Sequence, residues 1–171
     1  MPPFPSKPGS GKPGAGKKQR RLSEYGKRLV AKQEAKKEYG LRERQFRRYF
    51  DLARTVRGAT GEKLLELLER RIDNVLYRLD LAQTRAQARQ LISHGHVCLQ
   101  GKKMNIPSYQ VQVGEEIVIT KETLIHPRGV DVPGWLKLND SKTGGSVLAF
   151  PKREDIATEI DEQMIVEYYS R

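Results

Sequence analysis

LERRIDNVLYRLDLAQTRAQARQLISHGHVCLQGKKMNIPSYQVQVGEEIVIT, residues 68–120, is the stretch whose reading decides the fold. Together with Leu64 just before it, its first part is apolar at Leu68, Ile72, Val75, Leu76 and Leu79, three or four residues apart, as one buried helical face requires. Arg70, Arg71, Asp73, Asn74 and Arg78 fall between these positions. A second helix is expected from Thr84, because Thr84 followed by Gln87 is a capping box that satisfies two orphan backbone donors reciprocally. Gly95 closes it. On that helix Arg85 and Arg89 stand one turn apart, while Ala86, Ala88, Leu91 and Ile92 leave small or apolar surface for packing against the first. Residues 96–100 then predict a strand and Gly101-Lys102-Lys103 a turn. Residues 110–113 and 116–120 alternate apolar with polar, as strands do. The reading is two helices followed by a small antiparallel sheet, an α+β unit.

The chain of 171 residues carries a formal charge of +11, and the excess sits in its first third. Residues 1–60 hold 17 Lys and Arg against 5 Asp and Glu, residues 61–130 hold 10 against 8, and residues 131–171 hold 5 against 8. So much positive charge in sixty residues needs a polyanion, either nucleic acid or an anionic membrane surface. No apolar run approaches the roughly 18 residues of a spanning helix, and Met1-Pro2-Pro3 lacks the basic-then-apolar layout of a signal peptide. A cytoplasmic nucleic acid is therefore the expected partner, with no membrane. The single cysteine, Cys98, suits a reducing compartment and reads as a small core residue in mid-strand.

Outward from the central stretch, residues 1–21 (MPPFPSKPGSGKPGAGKKQRR) have only Phe4 as a sizeable apolar side chain, so they are expected to be disordered alone and to order against phosphates. Lys17, Lys18, Arg20 and Arg21 cluster at their end. Ser23 can cap a helix running to about Tyr39, with Gly40 as its left-handed exit. Leu29 and Val30 are nearly the only aliphatic anchors there, and Lys27, Arg28, Lys32, Lys36 and Lys37 imply a charged partner along it. The next helix, from Arg42 to about Arg57, interleaves Phe46, Tyr49, Phe50, Leu52 and Val56 with Arg44, Arg47, Arg48, Arg54 and Arg57, the three aromatics spaced as one packed face. Its arginines are the functional face, since a planar guanidinium can hold two phosphate oxygens at once. Beyond Thr120, Pro127, Gly129, Pro133 and Gly134 punctuate the chain, Trp135 reads as a packing anchor, and Gly144-Gly145 marks another turn. Residues 146–150 and 164–168 read as short extended or irregular segments.

Five blocks resemble one known family: RRLSEYGKRL at 20–29, YGLRERQFRRYF at 39–50, TGEKLLELLERRIDNVLYRL at 60–79, TRAQARQLISHGH at 84–96 and EQMIVEYYSR at 162–171. The central part is similar to the RNA-binding module named after the small-subunit ribosomal protein S-four. That module also occurs in pseudouridine synthases, tyrosyl-tRNA synthetases and a heat-shock ribosome-rescue protein. The flanking blocks extend the resemblance to the bacterial-type S-four family itself. It implies residues 1–22 as a basic arm, 23–67 as a mostly helical domain completed by 141–171, and 68–140 as the inserted module. It further implies a structural, primary rRNA-binding component of the small ribosomal subunit that helps start assembly by holding an rRNA helix junction in the 5′ domain. The arm would reach toward mRNA where it enters the subunit. The tail would adjoin small-subunit protein S-five, a contact that bears on translational accuracy, with Glu167, Tyr168 and Tyr169 as candidates. One departure is clear: many members carry an N-terminal segment with four zinc-binding cysteines, whereas no Cys or His precedes His94 here, so the N-terminus reads as shortened and no structural zinc is expected.

The expected RNA contacts are thus Lys17, Lys18, Arg20, Arg21, Lys27, Lys36, Arg42, Arg44, Arg47, Arg48 and Arg54 in the first third, and Arg70, Arg71, Asn74, Arg78, Thr84, Arg85, Arg89, His94, His96 and Lys102 in the module. No active site is expected. His94 and His96 lack a third ligand for a metal, and read as RNA contacts or packing residues. Asp73, the carboxylate within the motif, should pair with Arg70 or another arginine. Neither a phosphate-binding G-x-x-x-x-G-K-[ST] loop nor a G-x-S-x-G elbow occurs. No catalytic residue, cofactor or small-molecule substrate follows. Two other readings of the module stand beside this one: a free RNA chaperone or ribosome-rescue factor, and an RNA-modifying enzyme, for whose catalytic domain the segment after Thr120 is too short. A cytoplasmic ribosome and an organellar one are both compatible with the sequence.

Overall fold

The computed structural model describes residues 22–170, so the expectations for Lys17, Lys18, Arg20 and Arg21 lie outside the described residues. Helix α1 (Glu24–Glu38) starts where Ser23 accepts the Gly26 N–H at 3.1 Å and ends at Gly40, whose φ of +60° is the left-handed exit. Helix α2 (Glu43–Thr55) buries Phe46, Phe50 and Ala53. The continuous helix expected through Leu79 is two helices, α3 (Thr60–Glu69) and α4 (Ile72–Arg78). Between them Arg71 is extended and bridges Gln110, the Ile72 N–H donates to the Tyr109 carbonyl, and the Val111 N–H donates to the Arg70 carbonyl. Residues 110–113, expected as a strand, therefore pair at this break and not within the sheet.

Helix α5 (Arg85–Ser93) begins as the Thr84 cap predicts, with the Gln87 N–H donating to Thr84 Oγ1 at 3.0 Å. The return bond of the box is displaced by one residue, because Gln87 Oε1 accepts the N–H of Gln83 and not that of Thr84. Strands β1 (Val97–Leu99), β2 (Lys102–Met104), β3 (Glu116–Ile119), β4 (Leu136–Leu138) and β5 (Gly144–Val147) form one antiparallel sheet in the order β2-β1-β3-β5-β4. Lys102 and Lys103, expected in a turn, belong to β2. The turn is Gln100-Gly101, both at positive φ. Likewise Gly144-Gly145 is strand and not turn. A Cβ on Gly145 would stand 2.6 Å from the Lys137 carbonyl oxygen, so the glycine admits the neighbouring strand. Strand β5 carries the sheet past residue 140.

The last segment, expected as extended, is helix α6 (Glu162–Tyr169), capped by Asp161, which accepts from the N–H groups of Gln163 and Met164. Two apolar clusters result. One joins α4, α5 and the sheet through Ile72, Leu76, Ile92, Val97, Ile117 and Trp135. The other joins α1, α2, α3 and α6 through Ala35, Tyr39, Phe46, Phe50, Leu64 and Ile165. They define a helical lobe and a sheet-bearing lobe that meet along α4, α5 and the α1–α2 turn. Cys98 is half-buried in β1.

Candidate nucleic-acid interface

Helix α2 divides its residues by side. Phe46 and Phe50 point inward, with Phe50 stacked on Tyr169 at 4.5 Å between ring centroids. Arg44, Arg47, Arg48 and Arg54 lie together on the outward side, exposed and interrupted by Asp51. None of the four makes an ion pair or a side-chain hydrogen bond among the described residues. Such arginines are free to neutralise phosphates, and each phosphate neutralised releases cations condensed on the nucleic acid, which is the source of salt-dependent binding.

This stripe borders the seam between the lobes. A hollow of about 300 Å³ there is lined by Gly40, Arg42, Gln45, Arg71, Arg89, Pro107 and Ser108. A second, of about 220 Å³, lies beside it among Gln45, Arg48, Tyr49, Leu52, Arg71, Ser108 and Gln110. Gln45 and Ser108 were not singled out in the sequence. Ser108 arrives only because residues 109–111 pair with the α3–α4 break, a relation no local pattern carries.

The basic residues of the sheet-bearing lobe are placed differently from those of α2. Asn74 is 1% exposed; it donates to the Glu69 carboxylate at 2.8 Å and accepts from Arg85 Nε at 2.7 Å. Arg78 makes a two-pronged contact with Glu69, at 2.9 and 2.7 Å. Burial alone would raise the Glu69 carboxyl, but the Arg78 guanidinium, with Tyr39 and Asn74, holds it below the ordinary range. Arg71 is also buried, forked onto Asp73 at 3.0 and 2.7 Å and donating to the Tyr49 hydroxyl at 2.8 Å. Arg70 donates to the Val111 carbonyl, Glu66 and Gln112, and stacks on Phe150 at 3.9 Å. Asp73 thus pairs with Arg71 and, from the other side, with Arg89; Arg70 takes other partners. Arg71 and Asn74, expected at the RNA-facing surface, are interior, with their polar groups bound inside the fold. Thr84 is exposed and acts as the α5 cap.

On α1, Lys27 is exposed and pairs with Glu24, and Lys36 pairs with Glu43 at 3.3 Å. Arg28 reaches Glu167 at 2.7 Å. Lys32, read as facing a charged partner, is 4% exposed: its ammonium donates to Glu43 at 2.9 Å and lies 4.5 Å over the Tyr168 ring. The reason is that α6 packs across α1, with Tyr169 also donating to Glu43 at 3.0 Å. Val30, expected as an anchor, is exposed, and Ala35 and Tyr39 take its place in the core. Glu167, Tyr168 and Tyr169 therefore join α6 to α1 and α2. His94 is exposed and His96 half-buried, their rings 6.2 Å apart, while Lys102 is exposed on β2 opposite Leu99. Among the described residues no three His, Cys, Asp or Glu side chains are placed to hold a metal, and no helix is long and apolar enough to cross a membrane.

Two helices feeding a small antiparallel sheet, beside a helical lobe that bares unpaired arginines at the common seam, define an RNA-binding protein of the S4-domain class. The S4 domain family matches residues 70–117, and the family described as Ribosomal protein S4/S9 N-terminal domain matches residues 6–69. The chain is 51% identical over 163 residues to the small ribosomal subunit protein uS4 of Dictyoglomus turgidum, covering 91% of this chain and 79% of that protein. It is 50% identical over 172 residues to the uS4 protein of Chloroflexus aurantiacus, covering 94% and 84%. With that of Roseiflexus sp. strain RS-1 it shares 49% over 180 residues, covering 99% and 85%. The chain belongs to the small ribosomal subunit protein uS4 family.

Proposed function

We propose that the chain is a structural, non-enzymatic component of the small ribosomal subunit, a primary rRNA-binding protein that helps start subunit assembly by holding a junction of rRNA helices in the 5′ domain. The observation that carries this reading is the outward stripe of Arg44, Arg47, Arg48 and Arg54, unpaired among the described residues and bordering the seam between the lobes. A stripe on one lobe and a seam against the other suit phosphates from different RNA strands, so the protein recognises backbone shape more than base sequence. The basic residues before Ser23 contact mRNA where it enters the subunit. Glu154, Asp155, Glu159 and Asp161 are exposed in the tail, and this acidic surface meets a neighbouring protein, small-subunit protein S-five, and through it influences decoding accuracy. Family membership supports the ribosomal assignment, and the absence of ion pairs to Arg44, Arg47, Arg48 and Arg54 among the described residues supports the phosphate contacts.

Crosslinking of the intact protein in cell lysate, with sequencing of the attached RNA, tests this. Crosslinks concentrated in the 5′ domain of small-subunit rRNA are expected. Crosslinks scattered over tRNA, large-subunit rRNA and messages would instead indicate a rescue factor or free RNA chaperone.

A further inference from the structure

We propose that Arg85 and Arg89 form a clasp between the two lobes: they are positioning residues that set the angle at which the lobes present their basic surfaces to a folded RNA junction. This rests on the rRNA-junction reading above. Both arginines stand on the outer turns of α5, where an RNA-binding protein would be expected to aim them at phosphates. Most of the Arg89 donors, and Nε and Nη2 of Arg85, are engaged inside the protein. Arg89 gives Nε and Nη2 to the Asp73 carboxylate at 3.0 and 2.9 Å, Nη1 to the Gly40 carbonyl at 2.8 Å and Nη2 also to the Tyr39 carbonyl at 3.1 Å. One guanidinium thereby ties α5 and α4 to the turn that links α1 and α2.

Arg85 does the same one turn earlier. Its guanidinium lies between the Tyr39 ring of the helical lobe, at 4.8 Å, and the Tyr77 ring of α4, at 4.4 Å, while Nε donates to Asn74 and Nη2 reaches Glu38 at 3.3 Å. The two apolar clusters are separate across this seam. Forked hydrogen bonds to carbonyls and a carboxylate are satisfied in one arrangement and so fix the angle across this seam. Counterion release gives a second argument. Arg85 and Arg89 already have protein counter-charges, Glu38 and Asp73, so they add little net positive charge with which to neutralise a phosphate and release the cations condensed on the RNA. The α2 arginines have no such partners among the described residues.

The test is RNA affinity of the full chain carrying Arg85→Ala, Arg89→Ala, Arg85→Lys or Arg89→Lys, measured over a range of salt. The probes are a transcript of the small-subunit rRNA 5′ domain and a plain RNA duplex. Lysine keeps the charge but lacks the fork, so it would preserve a phosphate contact and not a clasp. The expected result is a loss on the order of tenfold for the junction transcript in Ala and Lys variants alike. The log–log salt slope should stay that of wild type and duplex affinity should be nearly unaltered. A slope reduced by about 0.7–0.9 per arginine removed, with binding kept in the Lys variants, would make these residues phosphate contacts and overturn the clasp. Should an Ala variant fail to fold, the Lys variants decide. Wild-type protein that binds both RNAs equally would sink the junction reading itself. Wild-type discrimination retained in every variant would sink the clasp alone.

Discussion

The Tyr39 hydroxyl donates to the buried carboxylate of Glu69 at 2.6 Å, joining the end of α1 to the end of α3. The same carboxylate accepts from Asn74 and Arg78 of α4, so a single acid collects three elements. Tyr39→Phe removes a hydrogen bond to a charged group and is expected to cost about 1.5–3 kcal/mol in urea unfolding. Glu69→Gln leaves Arg78 without its counter-charge, and the larger loss of about 3–5 kcal/mol follows.

Acid titration of stability separates this carboxylate from its neighbours. The folded pKa of Glu69 is depressed, because the Arg78, Tyr39 and Asn74 contacts outweigh the burial that opposes them. Its contribution is therefore complete above the unfolded value of about 4.3 and disappears as pH falls through the folded one. Glu69→Gln lacks that contribution at every pH. The stability gap between wild type and variant should narrow on going from neutral pH to well below 4.3; a gap that widened would show the sign to be wrong.

Much of the helical framework was legible in the sequence, because its signals are local. Ser23, Gly40, Thr84 and Gly95 act where the chain itself starts or stops a helix. The break between α3 and α4 was not legible: neither glycine nor proline marks it, and it exists because Arg71 pairs with Gln110 nearly forty residues away. For the same reason Gly144-Gly145 misread as a turn, since its glycines answer to the approach of neighbouring strands. The candidate site divides likewise. The α2 arginines follow from helical periodicity alone, but Asp73, Gly40 and Glu38 become the partners of Arg85 and Arg89 only through tertiary packing.

Lys32 offers a test of what a buried ammonium does. Its charge is neutralised by Glu43 and faces the Tyr168 ring, and its stem fills space between α1 and α6. Lys32→Ala should cost about 2–3 kcal/mol, mainly through lost packing, since Glu43 keeps Lys36 and Tyr169 as partners. Lys32→Met keeps the stem, and a well-packed apolar replacement of a buried ion is often close to neutral. Thermal unfolding should therefore rank Met well above Ala; equal losses would assign the whole effect to the charge.

Asp80 holds down the loop after β3. At φ +60° it accepts the N–H groups of Arg128, Gly129 and Val130 at 2.8, 2.9 and 3.3 Å. Burial acts to raise its pKa, but these backbone donors and the Arg128 charge lower it overall. Asp80→Ala should cost about 1–3 kcal/mol and speed amide exchange at residues 128–130. In wild type the same amides should lose protection only as pH falls below the ordinary aspartate value of about 3.9, because the depressed carboxyl keeps its proton off until then.

The α2 stripe supplies the complementary experiment to the clasp. Arg44, Arg47 and Arg48 are exposed and unpaired among the described residues, so replacing all three with alanine removes no native hydrogen bond. Alanine also raises helix propensity slightly, and the melting temperature should remain that of wild type or rise. RNA binding should respond in the opposite way. Each lost phosphate contact removes about 0.7–0.9 from the log–log salt slope, so the triple variant should flatten it by roughly 2–3. Because these contacts neutralise backbone charge without reading shape, affinity for the junction transcript and for a plain duplex should fall by similar factors. A loss confined to the junction, with an unaltered slope, would move these arginines from phosphate neutralisation to recognition of a particular RNA shape.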